Sequence, residues 1–280
     1  MKIRIGNDIF LGGDKGYHLE SPISGLTSPA IRTADGLRAG VDGGYVSSQL
    51  YGFRTITLSG FYIGKNCEEA DQLRLDLMTK LHIRYLYPVL ITTFSGRHYF
   101  TEAYITDVKS DITGPLAGEY QITLICPDPI IYDGGDGISP DSAIMEQMFY
   151  KEKDGGFKID YPVPVQWTAG QLSTEIKNSG TVDNLPKITL RGKFTNPKIT
   201  NITTKKFIKL NLETKQDDVV VIDMRERVIT KNGVTVAFLK TEDSVWWNLI
   251  PGSNFITLET DSKDDNNYGT ITWKNGVEGI

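Results

Sequence analysis

The sequence has 280 residues, room for one large or two ordinary domains of roughly 100–200 residues each, and its 39% hydrophobic content plus 28 glycines is that of a folded globular chain rather than a disordered one. With 30 Lys and Arg against 35 Asp and Glu, the net charge of -5 argues against a dedicated nucleic-acid binder, whose affinity comes from clustered cations on phosphates. The longest stretch free of Asp, Glu, Lys and Arg, 244–258, has 15 residues and is broken by Asn248, Pro251, Gly252 and Asn254, short of the roughly 17–25 apolar residues of a membrane-spanning helix.

The opening Met1-Lys2-Ile3-Arg4-Ile5-Gly6 is basic but is followed by no apolar block, so it does not read as a secretory signal and synthesis in the cytoplasm is expected. Cys67 and Cys126 are too few for a disulfide framework and lack the C-x-x-C spacing that gathers thiolates around zinc. Both read as reduced thiols.

In chain order, 54–63 reads as a strand rich in Thr, Ile, Tyr and Phe. A helix is predicted over 67–81: Asn66 can cap it, Glu69 three residues on completes a capping-box-like pattern, and Ala70, Leu73, Leu77, Met78 and Leu81 make one apolar face. Glu68, Glu69 and Asp71 near its start and Lys80 and His82 near its end suit the helix dipole. Residues 99–108 and 119–126 are further strands, and in the second of these Tyr120, Ile122, Leu124 and Cys126 fall on one face. Pro127-Asp128-Pro129 ends it, since proline cannot donate to the ladder.

The Gly/Asp stretch Asp133-Gly134-Gly135-Asp136-Gly137 that follows reads as a domain boundary. The sharper reading, a phosphate-binding loop, lacks the G-x-G-x-x-G or P-loop spacing, and its aspartates would repel an anion. Beyond it, 186–192, 206–210, 219–223, 228–230, 234–239 and 255–258 are short strands, with Lys231-Asn232-Gly233 a type I′ hairpin signal. Closely spaced strands without helical periodicity predict an antiparallel β-sandwich. The polar run 261–267 reads as a hairpin tip; the alternative, a calcium loop, lacks the alternating D-x-[DN]-x-[DN]-G spacing.

No catalytic template fits. His18, His82 and His98 have no H-E-x-x-H partner, no serine sits in G-x-S-x-G, and none of the acids pairs recognisably. No enzyme activity, metal or cofactor is therefore expected. Trp246-Trp247 stands out, because neighbours in a strand point to opposite faces: one indole should enter the core and the other face a partner, a glycan or an overlying loop.

Several of these runs resemble one family. Leu37-Arg38-Ala39-Gly40-Val41-Asp42-Gly43-Gly44, Tyr51-Gly52-Phe53-Arg54-Thr55-Ile56-Thr57-Leu58-Ser59-Gly60, the single helix and Cys126-Pro127-Asp128-Pro129-Ile130-Ile131-Tyr132 are similar to the N-terminal domain of siphophage distal tail proteins. Pro186 to Gly192, Thr195-Asn196-Pro197-Lys198-Ile199, Val221-Ile222-Asp223, Lys231-Asn232-Gly233 and the run from Ser244-Val245-Trp246-Trp247 to Pro251-Gly252-Ser253-Asn254 resemble that family's C-terminal domain. Residues 145–181, with Trp167, align with nothing in it.

The resemblance implies a mainly β fold: an N-terminal β-barrel or sandwich-like domain with one α-helix over 1–134, then a galectin-like antiparallel β-sandwich over 135–280. It implies a structural virion protein, a homo-hexameric ring at the tail tip, assembled in the host cytoplasm. The partners implied are the tail tube protein, the tail-associated hub protein and a receptor-binding protein. Six copies would carry 6 × -5 = -30 formal charges, so a neutral to acidic channel wall is expected, through which DNA passes without sticking. The alternative is a carbohydrate-binding sandwich that attaches the tail tip to cell-wall glycans, with Trp246 or Trp247 as the contact.

Overall fold

The computed structural model describes residues 1–13, 15–47, 49–133, 141–149, 173–261 and 267–280. The Gly/Asp boundary segment from 134 to 140, Trp167 with its surroundings (150–172), and 262–266 of the polar run lie outside these residues. The described chain is mainly β with one α-helix, as expected. It divides into two units, 1–139 with 276–280, and 140–275.

In the N-terminal unit β1 (Lys2–Ile5), β2 (Ile9–Leu11) and β3 (Tyr17–Leu19) precede an excursion built of β4 (Ile31–Arg32), β5 (Asp35–Leu37), β6 (Gly44–Val46) and β7 (Leu50–Tyr51). β8 (Arg54–Ile63) then leads into α1 (Cys67–Lys80), followed by β9 (Leu86–Thr92), β10 (His98–Gly114), β11 (Ala117–Cys126) and β12 (Ile131–Asp133). Seven strands pair in the order β2-β1-β9-β10-β11-β8-β3, with β12 beside β10. The two end strands meet where Gly12 N–H donates to the Tyr17 carbonyl at 3.0 Å, which nearly closes the sheet into a barrel. Gly60 allows the final approach: any Cβ there would collide with the His18 carbonyl oxygen, the same atom that accepts from Tyr120 Oη at 2.9 Å.

The period-2 pattern of β11 does what it predicts. Tyr120, Ile122, Leu124 and Cys126 are buried, packed with Ile56 and Leu58 of β8 and Val89 and Ile91 of β9. Each fully buried Ile or Leu contributes about 1.5–3 kcal/mol, and burial pushes the Cys126 thiol up from its ordinary value.

Helix α1 lies across this core. Asn66 Oδ1 accepts from Glu69 N at 2.7 Å, and Glu69 Oε2 accepts from Lys65 N at 2.6 Å, so the predicted cap forms with its carboxylate reaching back by one residue more than the standard box. Ala70, Leu77 and Leu81 are buried and Leu73 packs against them. Met78 departs from the expected face: it is 53% exposed, because it follows Leu77 by one residue and is rotated about 100° off the stripe.

Tyr17 and Tyr120 meet edge to face at 6.1 Å, with Tyr17 Oη donating to the Leu73 carbonyl at 2.7 Å. Burial first, then the charge of Asp76 on Tyr17 and the neighbouring Tyr17 on Tyr120, pushes both phenols well above their ordinary 10.0. The folded state therefore keeps protons that the unfolded chain releases, so stability is full below about pH 10 and falls as pH rises beyond it. Urea unfolding of the N-terminal unit followed by circular dichroism should show this loss, and the Tyr17→Phe/Tyr120→Phe chain should show a shallower one.

The second unit holds β13 (Asp141–Phe149), β14 (Thr174–Asn178), β15 (Lys187–Arg191), β16 (Lys198–Asn201), β17 (Lys206–Lys209), β18 (Val219–Asp223), β19 (Val228–Lys231), β20 (Val234–Thr235), a 3-10 turn (Ala237–Leu239), β21 (Gly252–Thr260) and β22 (Tyr268–Trp273). β15, β18, β19, β20 and β22 form one sheet, and β14, β16, β17 and β21 the other. β13 joins them, antiparallel to β22 over 141–146 and parallel to β21 over 147–149. Ile188, Val220, Ile222 and Ile271 of the first sheet share a single core with Ile199, Ile208, Ile256 and Leu258 of the second, as a sandwich requires.

The hairpin at Asn232-Gly233 is as expected, with φ of +51° and +81°. The strand read over 234–239 is shorter: it ends at Thr235 and turns through Ala237–Leu239, leaving Phe238 in solvent. Residues 276–280 return to the N-terminal unit, where β23 (Asn275–Val277) pairs with β12.

Candidate assembly surfaces

Three surfaces among the described residues bear on assembly because they carry large apolar side chains that reach solvent. The first is the 31–51 excursion. β4 pairs with β7 (Ile31 with Tyr51, Arg32 with Leu50), and β5 pairs with β6 (Asp35 with Val46, Leu37 with Gly44). These are two small ribbons of one arm, separate from the barrel sheet. Gly52 N donates to Ala30 O at 2.6 Å at the root, and Arg38 N to Gly43 O at 3.2 Å near the tip, where Gly40 and Gly43 take φ of +73° and +98°. Leu37 is 90% exposed, and Ile31, Val41, Tyr45, Val46, Leu50 and Phe53 are exposed as well. A two-stranded ribbon is marginal by itself in water, and exposed apolar surface this concentrated is the kind that interaction sites use.

The arm escaped a strand reading because its apolar residues do not alternate with a buried face. The signal that could have found it is the glycine-rich turn between Leu37 and Tyr45-Val46, which brackets a hairpin.

The second surface lies on and after α1. Leu75 and Met78, one turn apart, are exposed on the helix, and Ile83, Tyr85 and Leu86 follow it. Tyr87 Oη holds this segment by accepting from His82 N at 2.8 Å and donating to Lys80 O at 3.1 Å.

The third surface contains the Trp-Trp run. Residues 244–248 form no strand and their burial does not alternate: Ser244 and Trp247 are buried, Val245 is exposed and Trp246 is half-buried against the core. Trp247, 1% exposed, is closed to any outside ligand; Trp246 is the indole that reaches the surface. Buried asparagines fix the run. Asn178 Nδ2 donates to Leu249 O at 3.0 Å, Asn201 Nδ2 to Asn248 O at 3.1 Å, and Asn254 brackets Pro251-Gly252 by accepting from Ile250 N at 3.0 Å and donating to Ile250 O at 2.8 Å. Asn254 is fully buried, so the Pro-Gly-x-Asn spacing is a backbone latch whose side chain substitutes for ladder hydrogen bonds.

Both cysteines are free, Cys67 exposed and Cys126 buried. Among the described residues no three of His, Cys, Asp and Glu come together as metal ligands, and no helix is long and apolar enough to cross a membrane.

Residues 179–276 match the siphovirus-type tail component family, C-terminal domain. No curated protein matches the chain in sequence. Among solved structures, the chain is similar to the Dit protein of phage SPP1, with 15% identity over 98% of each chain and a TM-score of 0.67; that protein is described as a paradigm of the hub adsorption apparatus of phages infecting Gram-positive bacteria. It is also similar to a chain of the phage p2 baseplate in its activated conformation with strontium, with 13% identity over 100% of this chain and 99% of the other, at a TM-score of 0.50. Residues 179–276 thus match the siphovirus-type tail component domain, and the chain has the fold of SPP1 Dit across nearly its whole length.

Proposed function

We propose that this chain is a structural subunit of a phage tail tip, six copies of which close into a ring that joins the distal end of the tail tube to the hub and receptor-binding apparatus. The observation that carries the reading is the end-to-end likeness to SPP1 Dit. The exposed surfaces support it. A closed ring of identical subunits needs two different complementary faces on each, and the N-terminal unit offers the apolar arm and, elsewhere in sequence, the apolar face of α1 with Ile83 and Tyr85. We place the subunit contact there, and the virion tail tip as the final location. The -5 charge per subunit suits a ring that DNA crosses without binding.

Charges on the arm test the reading. Leu37→Lys/Val46→Lys should convert ring-sized particles into single subunits in light scattering, because two cations buried at each contact cost far more than about 1.4 kcal/mol, the equivalent of tenfold in affinity. Circular dichroism should not change, since both residues are exposed. Unchanged ring mass would remove the arm from the contact.

A further inference from the structure

The arm leaves the barrel between Thr27 and Arg54, and residues 276–280 pack across that root. Arg54 is 1% exposed. Its Nε donates to Pro129 O at 2.7 Å, its Nη1 to Gly25 O at 2.7 Å and Thr27 O at 2.5 Å, and its Nη2 to Glu278 O. Tyr51 Oη, at the end of β7, donates to Glu278 Oε1. Ile280 N donates to Leu26 O at 2.9 Å, and Gly279 lies flat on Thr27, where a Cβ would come within 2.8–2.9 Å of backbone atoms.

The entry to the arm (25–27) and its exit (51–54) are therefore both held by Glu278, Gly279 and Ile280, more than two hundred positions away in sequence. The arm's own root pairing is small. β4 and β7 match over two residue pairs and belong to a sheet separate from the barrel. So short a ribbon leaves the arm's direction open, because a few ladder bonds cannot resist bending at both connections.

We propose that residues 276–280 are a strap that fixes the direction in which the arm leaves the barrel and so presents it for the subunit contact. The strap itself stands on the contacts above; its consequence for assembly rests on the ring reading. Residues 27 and 54 act as its anchor points, with Arg54 clamping four carbonyls from three separate segments.

The test is hydrogen exchange on the full chain carrying Gly279→Ala, whose methyl group must lift the strap off Thr27. Amides of the arm root, Ile31, Arg32, Tyr51 and Gly52, should exchange about tenfold faster or more. Amides of β11 and of the β5–β6 ribbon should keep their rates. Tyr51→Phe, which removes one strap contact and no backbone packing, should give a smaller rise at the same root amides and carries the comparison if Gly279→Ala does not fold. Unchanged root exchange would overturn the strap, and so would an equal rise in root and β11, which would make 276–280 an ordinary part of barrel stability. Root loosening with unchanged ring mass would uphold the strap and overturn its role in assembly. A wild-type chain that forms no ring would count against the ring reading, while the exchange comparison still decides the strap.

Discussion

Arg54→Met should lower the stability of the N-terminal unit by about 3 kcal/mol, because Arg54 serves four carbonyls in part-buried bonds and a buried polar group left unpaired costs about 1–3 kcal/mol, less where water can reach it, as at the exposed Thr27 and Glu278. An opposing effect must be weighed. Burying a guanidinium is unfavourable, and burial indeed lowers the Arg54 pKa from its ordinary value, so an apolar replacement recovers that desolvation cost. Exchanging buried charges for apolar groups is neutral or better only when the partners are exchanged too. Here the partners are backbone oxygens of Gly25, Thr27, Pro129 and Glu278, which no substitution removes, so loss prevails. Lysine should rescue only in part, since a point ammonium cannot reproduce the planar fork that reaches three segments. All four tryptophans, Trp167, Trp246, Trp247 and Trp273, lie within 140–275. Urea unfolding followed by tryptophan fluorescence should therefore stay unchanged while exchange of the β11 amides speeds up; the reverse pattern would contradict the assignment.

Trp247→Ala should be the most damaging single truncation in the C-terminal unit, at about 3–5 kcal/mol. Trp247 is the largest of the fully buried side chains and sits in the core shared by the two sheets. Its indole Nε1 has no hydrogen-bond partner among the described residues, so Trp247→Phe keeps most of the apolar contact, loses no hydrogen bond seen there and should cost far less than alanine. Chemical denaturation read by the remaining tryptophans measures both. Equal losses for alanine and phenylalanine would show that volume is not what Trp247 supplies.

Much of this fold follows from local pattern. Asn66 and Glu69 announce the start of α1, the alternation of Tyr120, Ile122, Leu124 and Cys126 gives β11 its buried face, and Asn232-Gly233 supplies the positive φ that its turn needs. In each case the signal lies within a few residues of the element it specifies. The arm was not read from the sequence, since Ile31, Leu37, Tyr45 and Val46 are apolar without being buried, and hydrophobic periodicity records burial within one chain. The Trp-Trp run was legible in half. Trp247 enters the core, but the run is held by asparagine side chains instead of strand pairing, and Asn178 and Asn201 lie about fifty to seventy positions away. Nothing in Gly276-Val277-Glu278-Gly279-Ile280 points to Tyr51 and Arg54, because that contact is set by topology and has no periodic signature.

The same distinction bears on function. Residues that build the two cores would serve any two-domain β protein, whereas the exposed arm and the exposed Leu75 and Met78 of α1 contribute to neither core. Both would be used in the ring proposed above.

The proposed ring is checked by the mass of the purified chain in multi-angle light scattering across a range of concentrations. A hexamer of 31.2 kDa subunits gives 6 × 31.2, about 187 kDa, and six-fold particles in electron micrographs of the same sample. A mass of 31.2 kDa at every concentration tried, or a dimer that grows no further, would contradict it.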